Sequence, residues 1–302
     1  MTRRAVWSRR LGLGMLLAML WPALLSAPAA AQDKGAAGAT AGRPVTPKKW
    51  VVYYADALPA SSFTGYDLVV FDGRHHPDLR PLKDRGIALF GYINVGEVAT
   101  YEPHYAEVQK MGLLRQQNPS WPDSRMVDMR DSRWTELVLS RLIPAVLREG
   151  FDGIFLDTLD NAGYMEREDA AANAGMIEAG KRLVAAIRRH YPGLPVILNR
   201  GYDLLPEAAR HVDYILGESI RTDYDFDTRE YGWVPEELYR EQVDILEGAR
   251  KANPAIAVLT LDYWYPEQTD TIARIYEIER QNGFWPYVAT VELDLLVPEP
   301  RP

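Results

Sequence analysis

Eight short apolar runs, separated by amphipathic segments, constrain this chain more than any other feature of it. They are WVVYY (50–54), DLVVF (67–71), ALFGYINV (88–95), GIFL (153–156), PVIL (195–198), YILG (214–217), AIAVLTL (255–261) and YVATV (287–291). Their hydrophobicity is continuous rather than alternating, which suits parallel strands covered on both faces. Helical periodicity occupies 132–149, 166–190, 235–252 and 267–281, with shorter patterns near 77–85 and 103–111. Asp131 ahead of the first long helix and Gly150 behind it have the chemistry of an N-cap and a C-cap. Eight β/α units in about 250 residues are the count and length of a (β/α)8 TIM barrel, expected here as one domain over 49–302. An open doubly wound sheet would need a glycine-rich phosphate turn after its first strand, and none follows Tyr54.

Almost every predicted strand runs into a polar residue, usually an acid. Tyr54 is followed by Asp56, Phe71 by Asp72, Val95 by Glu97, Leu156 by Asp157, Leu198 by Asn199, Gly217 by Glu218, Leu261 by Asp262 and Val291 by Glu292. In a parallel barrel these positions converge at the C-terminal mouth, where active sites of this fold are built. A single acid there could simply cap the next helix. Seven in eight strand ends point to a mouth that handles chemistry or cations. Asp157 and Glu218 stand out because each follows a fully apolar strand. Such flanks raise a carboxyl pKa, as a general acid requires, while a partner stays ionised as nucleophile or base. Asn94 lies on the same approach, and Tyr54, Tyr92, Tyr164, Tyr202, Tyr263, Trp264 and Tyr265 crowd these loops, with Trp121 and Trp233 in expected insertions. Acids with aromatic faces at one mouth suit a carbohydrate groove.

Composition removes several classes of function. The chain has no Cys, so disulfides, thiolate metal sites and cysteine nucleophiles are excluded. Acids outnumber bases 42 to 34, a net charge of −8 that disfavours nucleic acid as a partner. Residues 1–31 read as a signal peptide: Arg3, Arg4, Arg9 and Arg10, an apolar run over 11–25, and Ala29-Ala30-Ala31 for cleavage. That run is shorter than the ~20 residues that span a bilayer, although a retained anchor is the competing reading. Without the four arginines the charge becomes −12. Residues 32–48 read as a flexible linker. The expectation is an exported protein, periplasmic or extracellular, with no stable membrane span after cleavage, acting as a monomer and without a cofactor. Adjacent His75 and His76 rarely converge on one metal, so no metal site is expected there.

The blocks GYINVGEV (91–98), DMRDSRW (128–134), FDGIFLDTLDN (151–161), ILNRG (197–201) and ILGES (215–219) resemble glycoside hydrolase family 114, whose members are endo-acting α-1,4-polygalactosaminidases and related extracellular barrel proteins. The resemblance spans the domain from Trp50 to about Leu295, with the blocks in family order. It implies a (β/α)8 barrel that cleaves a galactosamine-containing polysaccharide, with Asp157 as nucleophile and Glu218 as acid/base of a retaining mechanism. Asp56, Asp72, Asn199 and Asp262 would surround the bound sugar, with Tyr54, Tyr92, Asn94, Glu97, Tyr263, Trp264 and Glu292 as further substrate contacts. Chitinase-like barrels would carry Glu where Asp160 stands, which argues against substrate-assisted chemistry. Two other readings stay open at this level: a barrel that binds polysaccharide without cleaving it, and a metal-dependent hydrolase using the acidic mouth.

Overall fold

All eight apolar runs form strands, and the strands lie side by side in chain order in one parallel sheet. They are β1 (Trp50–Tyr53), β2 (Leu68–Phe71), β3 (Ala88–Asn94), β4 (Gly153–Asp157), β5 (Val196–Asn199), β6 (Tyr214–Glu218), β7 (Ala257–Tyr263) and β8 (Trp285–Ala289). This computed structural model describes residues 47–300, so the expected signal peptide and residues 32–46 of the linker lie outside the described residues. Every residue of β1, β2 and β5 is buried, as continuous apolar runs require when both faces are covered. The sheet curls into a nearly closed (β/α)8 barrel. Across the seam the Trp50 indole Nε1 donates 2.7 Å to the Trp285 carbonyl, and the Trp50 and Tyr287 rings meet edge to face. Pro286, which lacks an N–H, is tolerated inside β8 because that strand pairs through a ladder with β7 alone.

The connections are less regular than an even eightfold alternation. The periodicity over 166–190 is broken into helices Asn161–Glu168, Ala170–Asn173 and Met176–His190. Asp169 adopts extended backbone and caps the amide of Ala172, and Gly175 turns the chain through φ 89°. The segment 132–149 stays helical but widens to a π turn over Val138–Leu142. Pro144 follows directly and has no N–H to complete an α-helical bond, which the wider turn absorbs. Asp131 caps this segment at Arg133 N, and Gly150 ends it at φ 106°. After β1 and β5 the return paths are 3-10 turns (Ala60–Phe63; Tyr202–Leu204 and Ala208–His211).

Two insertions rise from the strand ends. Behind β3, strands Glu97–Ala99, Leu114–Gln117 and Ser124–Val127 form a small antiparallel sheet, and behind β6 a hairpin pairs Thr222–Asp225 with Glu230–Trp233. Among the described residues no helix is long and apolar enough to cross a membrane.

Candidate active site

The register of the barrel decides which strand-end residues meet. Leu156 pairs with Leu198, Asn199 with Leu216, and Leu261 with Glu218. Because side chains alternate along a strand, Asp157, Asn199, Glu218 and Tyr263 all project to one side. The Asn199 amide is the keystone. Its Nδ2 donates to Asp157 Oδ1 at 2.9 Å and to Glu218 Oε2 at 2.6 Å. Tyr263 donates its hydroxyl to the other oxygen, Glu218 Oε1, at 2.5 Å. Asp157 also accepts from the backbone N–H of Thr158 at 2.8 Å and from the Tyr92 hydroxyl. Tyr54 packs edge to face on Tyr92, with ring centroids 5.2 Å apart.

Burial sets the electrostatics. It pushes the Asp157 carboxyl up to about 7, with help from the charges of Glu218 and Asp160, against the hydrogen bonds from Asn199 and Tyr92. Burial first, and then the anions Asp157 and Glu218, push the Tyr54 hydroxyl far above the usual phenol range. Burial and Glu218 do the same to Tyr263, so both phenols are neutral donors at any physiological pH.

The strand ends themselves are strained. Thr158, Arg200 and Ser219, the residues directly after Asp157, Asn199 and Glu218, have φ of 65°, 51° and 54°. Left-handed backbone costs a non-glycine residue roughly 1–2 kcal/mol. Three such turns in succession swing the chain away from the mouth immediately beyond each polar side chain. Hydrogen bonds hold them: Ser219 N donates to Leu261 O and Arg200 N to Leu216 O, while Thr158 Oγ1 reaches the Asp157 carbonyl and Asn94 Oδ1.

Behind this group lies a second layer. Glu97, 3% exposed, accepts from Asn94 and, through its other oxygen, from Asn118 at 2.6 Å and Asn161 at 3.0 Å. It therefore ties the insertion behind β3 to the loop of Asp157 and is enclosed by protein amides. Gly96 N donates to Thr158 Oγ1, and a Cβ on Gly96 would stand 1.9 Å from the Thr158 carbonyl oxygen. Gly96→Ala is accordingly expected to displace the Asp157 turn. Turnover should fall roughly 100-fold, as for a misplacement of about 1 Å at a reacting group, with a lowered melting temperature; steady-state kinetics and thermal melts check this.

The remaining expected sugar contacts have partners or exposure of their own. Asp262 is the clearest correction. Standing between Leu261 and Tyr263, it faces the opposite side of β7, is fully buried, and accepts the N–H groups of Arg221 and Thr222 at 2.8 Å each. It anchors the hairpin behind Glu218 from outside the mouth. Trp264 packs with Tyr231, Trp233 and Tyr265 and is 7% exposed, a support of the same hairpin. Asp72 caps its own turn through the amides of Arg74 and His75. Asp56 and Glu292 are exposed. His75 bonds Asp72, while His76 packs on Phe151 and bonds Pro77 O, so the two do not share a centre. Among the described residues no three His, Asp or Glu side chains group as a metal site would. Asn118, in a loop, and Thr158 and Asn161, between β4 and the start of the helix Asn161–Glu168, are polar residues whose type alone does not mark them out. Gly96 could have been suspected from its place beside Glu97.

Comparison with known proteins places the fold and the family. The glycoside hydrolase domain of PelA from Pseudomonas aeruginosa is 28% identical, with a TM-score of 0.71 over 83% of this chain and 97% of that one. Ega3 of Aspergillus fumigatus, solved in complex with galactosamine, shares the fold at 15% identity and a TM-score of 0.63, over 85% of this chain and 96% of that one. An uncharacterised protein of Thermotoga maritima is 25% identical over 278 residues, which are 82% of this chain and 81% of that protein. The sequence pattern of glycoside-hydrolase family GH114 matches residues 30–301, and the chain belongs to that family of glycoside hydrolases.

Proposed function

We propose that this protein is an exported, monomeric endo-glycosidase that hydrolyses an α-1,4-linked, galactosamine-rich polysaccharide with retention of configuration. The observation that carries the mechanism is the shared Asn199 amide. One nitrogen bonded to both carboxylates holds their nearer oxygens no more than about 5.5 Å apart, the two N···O distances laid end to end. Carboxyl pairs of retaining glycosidases stand about 5–5.5 Å apart, whereas inverting enzymes need about 6.5–9.5 Å to admit a water.

Roles follow from the donors and from the family resemblance. Two anions so close and so buried repel, and one proton between them relieves the repulsion. Asp157 accepts from Thr158 N, Asn199 and Tyr92, and Glu218 from Asn199 and Tyr263. The hydrogen bonds from Asn199 and Tyr92 favour the anion on Asp157 against the burial that raises its pKa. The family resemblance of the two strand ends implies the nucleophile at Asp157 and the acid/base at Glu218. Asp157 then attacks the anomeric carbon as Glu218 protonates the departing glycosidic oxygen, giving a glycosyl ester. Water, deprotonated by Glu218, releases the sugar from Asp157.

The choice of sugar draws on the bound galactosamine of Ega3 and on charge. A partly deacetylated galactosamine polymer carries ammonium groups, and an acidic protein with anionic side chains around its mouth attracts it. Export is supported by the basic and apolar pattern of residues 1–31.

The test is incubation of the purified chain with partly deacetylated α-1,4-galactosamine polymer, with and without EDTA, and mass spectrometry of the soluble products. Equal yields of oligosaccharides in both are expected, since two carboxylates need no metal. Loss of products with chelator would favour a metal-dependent hydrolase. Co-sedimentation without products would leave a binding protein.

A further inference from the structure

The two insertions leave the barrel beside the carboxylate pair, one three residues after Asn94 and the other four residues after Glu218. They touch through a pair of aromatic side chains that the barrel does not need. Trp121, at the tip between strands Leu114–Gln117 and Ser124–Val127, meets Phe226, at the turn of the hairpin, with ring centroids 5.6 Å apart and planes at 78°. Trp121 is 55% exposed and Phe226 52%. Both turns are held in place. Asn118, itself bonded to Glu97, accepts the N–H of Ser120 and Trp121. Asp225 Oδ1 accepts the N–H of Asp227 and Thr228, and Tyr224 backs Phe226 at 5.1 Å. Exposed rings on preorganised turns lose little entropy on binding, unlike rings on a loose loop.

The chemistry around the pair selects its ligand. The turn 118–124 (NPSWPDS) has one acid and no base, and the segment 222–230 (TDYDFDTRE) has four acids against Arg229. Asp123, Asp225 and Asp227, beside the rings in sequence, are exposed. Apolar faces ringed by carboxylates suit a ligand that presents C–H surface and positive charge together. An apolar protein partner would have to desolvate those carboxylates without replacement. Trp233, by contrast, is already covered by the guanidinium groups of Arg221 and Arg274, at 5.1 and 5.2 Å.

We infer that Trp121 and Phe226 form a distal binding platform for the aminosugar chain, engaging units beyond those at the cleavage point. This rests on the galactosamine reading above. The test compares partly deacetylated polymer with a trisaccharide of the same sugar, using the full chain and its Trp121→Ala/Phe226→Ala variant. The variant should raise KM for the polymer about ten-fold more than KM for the trisaccharide, the loss expected of two stacking contacts. The Trp121→Phe/Phe226→Tyr variant, which keeps both rings, should restore most of the difference. Equal changes for the two substrates would mean that the rings only brace the insertions, and no change would mean that they do nothing; either overturns the inference while leaving the function standing. A wild-type chain that neither cleaves nor co-sediments with the polymer overturns the function, and the inference falls with it.

Discussion

Asp157→Asn and Glu218→Gln are each expected to lower kcat on polymer by roughly 10³–10⁴-fold, the range lost when a nucleophile or a general acid is removed. The two variants should separate on a substrate whose leaving group needs no proton, such as an aryl galactosaminide of low phenol pKa. Glu218→Gln should then recover much of its first step, and Asp157→Asn should recover none. Stability checks that the fold survives. Burial raises the Asp157 pKa from the usual carboxylate range to about 7, so the folded chain binds this proton more tightly than the unfolded one. The wild type therefore loses stability as pH rises between about 4 and 7, a cost that the asparagine variant lacks. The melting temperature of Asp157→Asn should gain on wild type across that window, and thermal melts at several pH values will show it. A variant that is both inactive and collapsed at every pH would say nothing for the assigned role.

Asn199→Ala carries the second large effect. It removes a side chain bonded to both carboxylates and leaves two buried oxygens short of a donor. Loss of one such donor in a water-poor site costs about 10²–10³-fold in kcat. The direction on pH is fixed as well. The Asn199 hydrogen bond favours ionised Asp157, so its removal raises that pKa. If Asp157 must be ionised to attack, the rising limb of the kcat/KM profile moves to higher pH. A profile lowered uniformly, with the limb in place, would mean that Asn199 positions sugar rather than tuning the carboxylates.

The strand skeleton was readable because eight buried parallel strands leave eight unbroken apolar runs, and each run is a strand. The same runs fixed where side chains at the mouth must begin, which is why Asp157, Asn199, Glu218, Tyr54, Tyr92 and Tyr263 meet. What the runs do not carry is the pleat. Asp262 and Tyr263 are neighbours in the same strand-end pattern, yet one is walled in behind the sheet and the other bonds Glu218. Only the register with β6 separates them. Glu97 illustrates a second limit. An acid at a strand end looks the same whether it faces a ligand or three asparagine amides, and those amides come from residues 3, 21 and 64 positions away. The left-handed turns at Thr158, Arg200 and Ser219 are a third, because none is a glycine. The periodicity over 166–190 hides its breaks for a local reason, since Asp169 and Gly175 interrupt a pattern that otherwise continues.

The most direct test of the account is the configuration of the first product. Proton NMR of the reaction, recorded before mutarotation, should show the α-anomer of the new reducing end appearing first, as two displacements through Asp157 require. Initial release of the β-anomer would mean a single displacement by water, and would contradict the close carboxylate pair bridged by Asn199.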